Sequence, residues 1–393
     1  MIGGLTGAGI HDVLETRIKI SAMKTVKSLS TRRDFLGSMA FAAAGGLQSF
    51  AVVGGQKSGY PASWGDIRAV YIPWGHNMWG ESLPKDIKSI TGSFLCNDHL
   101  KFNETMWQEI VDRLVLRKMN IVVIDLGEFP VYPSHPELAV KGSRSPDWVL
   151  AEVRRLKSLG IEAIPKLNFS TTHDAWLGEY GRMVTTKTYY QVCCDLIRDA
   201  AEMFDHPRFL HIGYDEERAE YQKGYQCVRT GEVWWHDFLF FVKTVEDAGM
   251  RPWMWSDYGW KHEDFVPRCP KSVIHNNWYY DEWMEGFDTA KMKPGSKSRP
   301  MLELFLKLDK AGFDQVPCSS LWLSREREEA RAVNDDCMAN MVKFCRANLS
   351  RGRLGGFLMA PWAGDYDNKD FLKTNIHSID KIAEALEQGD GYA

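Results

Sequence analysis

The sequence holds eight cysteines but no C-x-x-C pair and no cysteine–histidine spacing of the zinc-site kind, so a structural zinc site is not expected. Several of the thiols, Cys193 and Cys194 among them, fall inside apolar runs, where a thiol behaves as a small hydrophobe. Mostly free, buried cysteines are therefore expected. No basic stripe appears beyond about residue 35 and the net charge is −4, which gives no general attraction to nucleic acid. No glycine-rich turn follows the first apolar run, as a nucleotide-binding doubly wound sheet would require. No second histidine lies four residues from His173, which argues against a helical metal-ligand pair there. With 44% hydrophobic and 25% charged residues, the composition points neither to disorder nor to a body embedded in a membrane. What is abundant is tryptophan, 15 residues of it.

From Met23, an alternative start to Met1, a basic stretch precedes a weakly apolar Ala/Gly-rich run and then polar residues, the layout of a secretory signal. Thr31-Arg32-Arg33-Asp34-Phe35-Leu36 resembles a twin-arginine signal, the export route for folded proteins. A membrane anchor is the competing reading, and the glycines that weaken the run as a helix oppose it. Residues 1–56 are thus expected to be signal and linker, 57–393 the folded domain, and the mature protein periplasmic or extracellular in a bacterium.

After the signal, short β-branched or apolar runs alternate with longer amphipathic stretches, the pattern of repeated βα units. Strands are predicted at Ile67–Trp74, Asn120–Leu126, Ile161–Phe169, Arg208–Tyr214, Arg251–Ser256, Ser272–Trp278, Phe313–Leu321 and Leu354–Pro361. Helices are predicted at Thr105–Lys118, Asp147–Leu159, Thr186–Phe204, Glu232–Ala248, Met301–Ala311, Asn334–Leu349 and Asn375–Glu387, with a degenerate one near Glu263–Val266. Gly160, Gly249 and Gly312 stand where helix C-caps belong, each directly before a strand. Eight such units predict a single (β/α)8 TIM barrel of the α/β class.

In such barrels chemistry collects at the C-terminal ends of the strands. Those ends carry Trp74; Asp125 and Glu128; Lys166, Asn168, His173, Asp174 and Trp176; Asp215 and Glu216; Trp253, Trp255 and Asp257; Asn276, Asn277, Trp278, Tyr280 and Asp281; Trp322; and Trp362 with Asp365. Any single tryptophan reads as rim packing. Five of eight strands ending in tryptophan, rimmed by carboxylates and amides, read as a cup for a carbohydrate, whose C–H faces stack on rings while its hydroxyls need acceptors and donors. Glu217, Asp367 and Glu282 read as solvated loop residues, and His211 as a core residue pointing into the barrel.

Arg208–Glu216, RFLHIGYDE, resembles the His-x-Gly-Gly-Asp-Glu signature of family 20 glycoside hydrolases, the β-N-acetylhexosaminidases. The resemblance implies Glu216 as general acid/base and Asp215 as the residue orienting the substrate's acetamido group. Lys118-Met119-Asn120 is similar to the family's opening of strand two, which puts Asp125 where the family has a histidine and Glu128 near its acidic residue. Thr172–Trp176 is similar to the family's Gly-His-x-x-Trp segment and implies His173 as a hydrogen-bond partner of the catalytic pair. The departures are Tyr214 for the second glycine, no strand-one arginine near Ile72–His76, and no α/β domain before the barrel.

Glycoside hydrolysis ordinarily uses two carboxylates from opposite faces of the sugar. The seventh strand ends Cys318-Ser319-Ser320-Leu321-Trp322, without one, which favours a retaining route in which the acetamide itself is the nucleophile; a pairing of Glu216 with Asp257 or Asp281 stays open. The expected substrate contacts are Asp125, Glu128, His173, Trp255, Asp257, Trp278, Tyr280, Trp322 and Trp362. The expected partner is a carbohydrate, with no nucleic acid, no membrane after signal removal, and no cofactor or metal. Two other readings are a carbohydrate-binding barrel without catalysis and, less supported, a metal-dependent isomerase or lyase needing clustered His and acidic ligands.

Overall fold

The computed structural model describes residues 64–78, 97–218, 227–280, 295–296, 298–321 and 336–389. The signal-like segment, Trp79, Asp281, Glu282 and Trp322 lie outside them. All the described residues belong to one compact unit, and its architecture is a (β/α)8 TIM barrel.

The strands are β1 Ile67–Pro73, β2 Ile121–Asp125, β3 Glu162–Lys166, β4 Phe209–His211, β5 Arg251–Trp255, β6 Ile274–Asn276, β7 Cys318–Ser319 and β8 Gly356–Met359. The helices are α1 Glu104–Leu116, α2 Pro146–Ser158, α3 Lys187–Met203, α4 Gly231–Asp247, α5 Phe265–Arg268, α6 Ser298–Lys310, α7 Cys337–Asn348 and α8 Phe371–Gly389. All the strand pairs are parallel, in the order β6-β5-β4-β3-β2-β1-β8-β7. The ring closes between β6 and β7 through Val316 N–H to His275 O at 2.9 Å and Cys318 N–H to Asn277 O at 2.9 Å.

Strands covered on both faces read as continuous apolar runs, and β2 shows why. Ile121 and Val123 point into the barrel with Ile164 and Leu358, while Val122 and Ile124 pack outward against the helical shell. The helices begin where side-chain oxygens can take orphan N–H groups: Asn103 accepts from Met106 N, Ser145 from Trp148 N and Thr186 from Tyr189 N. Gly160, Gly249 and Gly312 all have φ near +80°, the left-handed cap geometry expected of them.

All eight strands are shorter than the sequence predicts, β7 most of all. β4 stops at His211, and β7 keeps only Cys318–Ser319, its earlier residues making isolated bridges from Gln315. In both, the apolar run that suggested a longer strand continues past the ladder, because Ile212 and Tyr214 beyond β4 and Phe313, Val316 and Leu321 around β7 stay buried.

Candidate active site

The tip of β4 is where the regular barrel gives way. Leu167 N–H bonds to His211 O and Phe169 N–H to Ile212 O, both at 3.0 Å, so two residues after β3 oppose one after β4. That is a bulge on the β3 side, at Asn168, the residue that reaches across to the β4 tip. Gly213, Tyr214 and Glu216 then adopt φ of 67°, 73° and 54°. Strand alternation is broken, so two adjacent carboxylates face the same way. Asp215 Oδ2 and Glu216 Oε2 lie 3.6 and 3.3 Å from one atom, His173 Nε2.

Asn168, just beyond β3, holds this tip. Its Oδ1 accepts the Ser170 and Tyr214 N–H groups at 3.0 and 3.2 Å, and its Nδ2 donates to Asp215 Oδ1 at 2.9 Å. A Cβ on Gly213 would stand 2.1 Å from that Oδ1. Glycine is needed there for space as well as for its left-handed backbone. Tyr214 stands where the resemblance has a second glycine and adopts the left-handed conformation anyway, at a cost of roughly 1–2 kcal/mol. Burial offsets that cost: its ring packs 5.2 Å from Trp234 and 5.5 Å from Phe238, and the Arg229 guanidinium sits 4.7 Å over it.

His173 is fixed by its other nitrogen, since Nδ1 donates to Thr172 O at 2.9 Å, leaving Nε2 toward the pair. Burial opposes its charge, but Asp215 and Glu216 outweigh that and raise its pKa above the usual histidine value. Thr172 Oγ1 donates to Glu216 O at 3.1 Å. On the other side, Asp257 Oδ2 accepts Glu216 N–H at 3.0 Å and Arg218 Nη2 at 3.1 Å. Burial, and then the Asp215 charge, push the Asp257 carboxyl up to about 6.

Beneath the pair lies a network that sequence reasoning missed. Arg229, fully buried, donates to both oxygens of Glu217 at 2.7 and 2.8 Å, to Asp237 at 3.1 Å and to Phe169 O at 2.6 Å. Glu217, read from sequence as a solvated loop residue, is therefore a buried anchor directly after Glu216. The loop carboxylate looks solvated until its cation is found twelve residues away, and nothing in the local pattern marks Arg229.

Of the predicted contact residues, Asp125 lies at the cup floor, where Oδ2 takes Tyr71 OH at 3.0 Å and also Lys166 Nζ. Glu128 has both oxygens occupied by backbone, accepting His76 N–H at 2.8 Å and Asn77 N–H at 3.0 Å, so it shapes the first loop. Trp255 and Trp362 face each other at 6.0 Å, Trp362 Nε1 donates to Tyr280 OH at 3.1 Å, and Tyr280 stacks on Trp278 at 4.8 Å. These four aromatics form one wall. Trp74 and Trp253 do not join it. Trp74 points outward into an aromatic shell with Trp107, Phe129 and Trp148, and Trp253 fills the barrel interior beside Phe209. His211 is buried inside the barrel, as its position in the alternation predicts.

No family model matches the sequence, and no curated protein does. Among solved structures, the chain is similar to a GH20 exo-β-N-acetylglucosaminidase from Vibrio harveyi in complex with N-acetylglucosamine, with a TM-score of 0.52, 11% identity, and 82% of this chain and 56% of that one covered. It is also similar to a β-N-acetylhexosaminidase from Bacteroides fragilis NCTC 9343, at TM-score 0.53, 12% identity and coverage of 80% and 65%. The pneumococcal virulence factor StrH matches at TM-score 0.56 and 12% identity, with 84% and 87% covered. The chain thus spans between about half and two thirds of the length of the first two. At these identities the likeness is one of fold.

Proposed function

We propose that this chain is a glycoside hydrolase acting on N-acetylhexosaminide-type sugars by a retaining, substrate-assisted route. Glu216 is the general acid/base: it protonates the leaving oxygen, then takes a proton from the water that opens the cyclised intermediate. Asp215 orients the acetamide and, ionised, stabilises the positive charge that develops on its nitrogen as the ring closes. His173 bridges the two and holds a proton between them.

The observation that carries this reading is the β4 tip, where left-handed residues opposite a bulge after β3 turn two neighbouring carboxylates toward one imidazole. Three further features support it. The described end of β7 offers Ser319 and Ser320 in place of a nucleophilic carboxylate. Asp257 spends one oxygen on the Glu216 backbone and Arg218. In the aromatic wall Trp278, Tyr280 and Trp362 are partly exposed and so available to a sugar ring, whereas Trp255 is buried behind them. A crystal soaked with N-acetylglucosamine-thiazoline tests it, because that compound mimics the intermediate of the acetamide-assisted route alone. Density against Asp215 and Glu216 is expected, and an empty cup at saturating ligand overturns the reading.

Export through the twin-arginine route is part of the same proposal. Changing Arg32 and Arg33 to lysine is expected to retain the protein in the cytoplasm, as fractionation would show; unchanged export would contradict it.

A further inference from the structure

Residues 168–173, the loop after β3, are buried throughout and lie against the β4 tip. Asn168 reaches Asp215 and Tyr214, and His173 reaches the carboxylate pair. Between them, Ser170 and Thr172 form a chain of hydroxyls. Glu216 O can only accept, so the Thr172 hydroxyl proton is committed to it, at 3.1 Å. The Ser170 hydroxyl, 3.0 Å from Thr172 Oγ1, therefore donates to it, and the Ser170 backbone is held by its N–H on Asn168 Oδ1 at 3.0 Å. Thr172 acts a second time through its carbonyl, which takes His173 Nδ1–H at 2.9 Å. One residue thus touches both the imidazole and the acid.

Glu216 has a φ of 54°, a left-handed conformation that an L side chain adopts only when its surroundings impose it. Its flanking peptides are held from two sides: Asp257 Oδ2 accepts the N–H at 3.0 Å, and the Thr172 hydroxyl holds the C=O. Arg218 N–H also reaches Glu216 O, at 2.8 Å, but that contact lies within the tip and moves with it, whereas Thr172 belongs to the loop after β3. The two peptide planes set the direction of the Cα–Cβ bond, so these bonds decide where the Glu216 carboxyl points. A general acid must stand within hydrogen-bond reach of the oxygen it protonates, so a small turn of those planes is felt in proton transfer before it is felt in binding. Thr172 stands where the resemblance has a glycine, so its hydroxyl is an anchor that the family pattern does not supply.

We propose that Thr172 is a positioning residue for proton delivery: its hydroxyl fixes the Glu216 peptide and its carbonyl fixes the His173 ring, which keeps acid and imidazole in register. The inference rests on the hexosaminide reading above, and in particular on Glu216 as the general acid. Thr172 is buried and acts through Glu216. Loss of its hydroxyl therefore slows proton transfer and leaves sugar binding in place.

Thr172→Val and Thr172→Ser in the full chain test this, because valine keeps the shape of threonine without its hydroxyl and serine keeps the hydroxyl. The measurements are kcat/KM for N-acetylhexosaminides with alkyl-type and with activated aryl leaving groups, and the affinity for N-acetylglucosamine-thiazoline by titration calorimetry. In Thr172→Val the alkyl-type substrates are expected to slow roughly threefold to tenfold, the worth of one buried hydrogen bond, and the aryl substrates far less, with thiazoline affinity held within about twofold of the parent. Thr172→Ser is expected to keep the parent's ratio between the two classes. A smaller folded fraction would lower both classes equally and leave that ratio untouched. If Thr172→Val does not fold, Thr172→Ala and Ser170→Ala carry the same comparison. Equal losses on both classes, no loss on either, a thiazoline affinity that falls as far as the alkyl rate, or a serine variant as impaired as the valine one overturns the positioning role and leaves the hexosaminide reading standing. A parent that neither binds the thiazoline nor cleaves either class overturns both.

Discussion

β2 and β4 are neighbours but one in the same barrel, and they are built to opposite rules. β2 pairs residue for residue with β1 and β3 over five positions, alternates apolar side chains in and out, and ends in Asp125 tied to Tyr71 and Lys166. β4 pairs with β3 through a single register position, then runs opposite a bulge after β3 into three left-handed residues, all supported from outside the strand by Asn168, Arg229 and Asp257. Burial alone specifies the first. The second requires other elements to over-determine a backbone that would not adopt this shape by itself, as is typical of strained functional sites.

If that contrast is right, removing a support of β4 should be costlier than removing a contact of a regular element. Arg229→Met leaves Glu217 and Asp237 buried without their cation, and about 3–5 kcal/mol of stability is the expected loss in denaturant titration. A loss below 1 kcal/mol would mean that the network supports nothing. Gly213→Ala, which drives a Cβ into Asn168, is expected to lose both stability and activity. Gly160→Ala has an equally left-handed φ but nothing within 4 Å of its Cβ, so it should lose only about 1–2 kcal/mol and no activity. Equal effects at the two glycines would erase the distinction.

Asp257 sharpens the comparison through pH. Its carboxyl ionises at about 6 in the fold against an ordinary 3.8. The folded chain keeps that proton where the unfolded chain has lost it, so the contribution to stability is full below about pH 4 and disappears as pH rises through 6. Asp257→Asn cannot titrate and its amide oxygen can still accept Glu216 N–H. Its stability relative to the parent should therefore improve by on the order of 2–3 kcal/mol between pH 4 and 7, measured by urea unfolding across that range. A pH-independent difference would remove Asp257 from the account.

The tryptophans give the cleanest division, and the cup tryptophan the smallest effect. Trp74→Ala should lose about 3–5 kcal/mol of stability and no sugar affinity per folded molecule, whereas Trp362→Ala should weaken sugar binding by about 1 kcal/mol or more. Binding loss at Trp74 would return it to the cup.

These same residues show how much could be read from the sequence. The barrel, its eight units and the capping glycines were legible, because period and punctuation are local. The Asp215-Glu216 pair was legible because a short motif carries it. Trp74 was misassigned because a strand-end position leaves open on which side of the sheet a ring falls, and Glu217 because its partner Arg229 is supplied by another part of the chain. Thr172 and Glu216, far apart in the sequence, come together only when β3 and β4 pair in the barrel.

The central claim is that Glu216 delivers the proton to the leaving oxygen, and a leaving-group series with Glu216→Gln tests it most directly. N-acetylhexosaminides with poor, alkyl-type leaving groups are expected to slow by about 10²-fold to 10⁴-fold, while activated aryl glycosides, which depart without protonation, should be far less affected. Equal losses on both classes would contradict the assignment of Glu216 as the general acid.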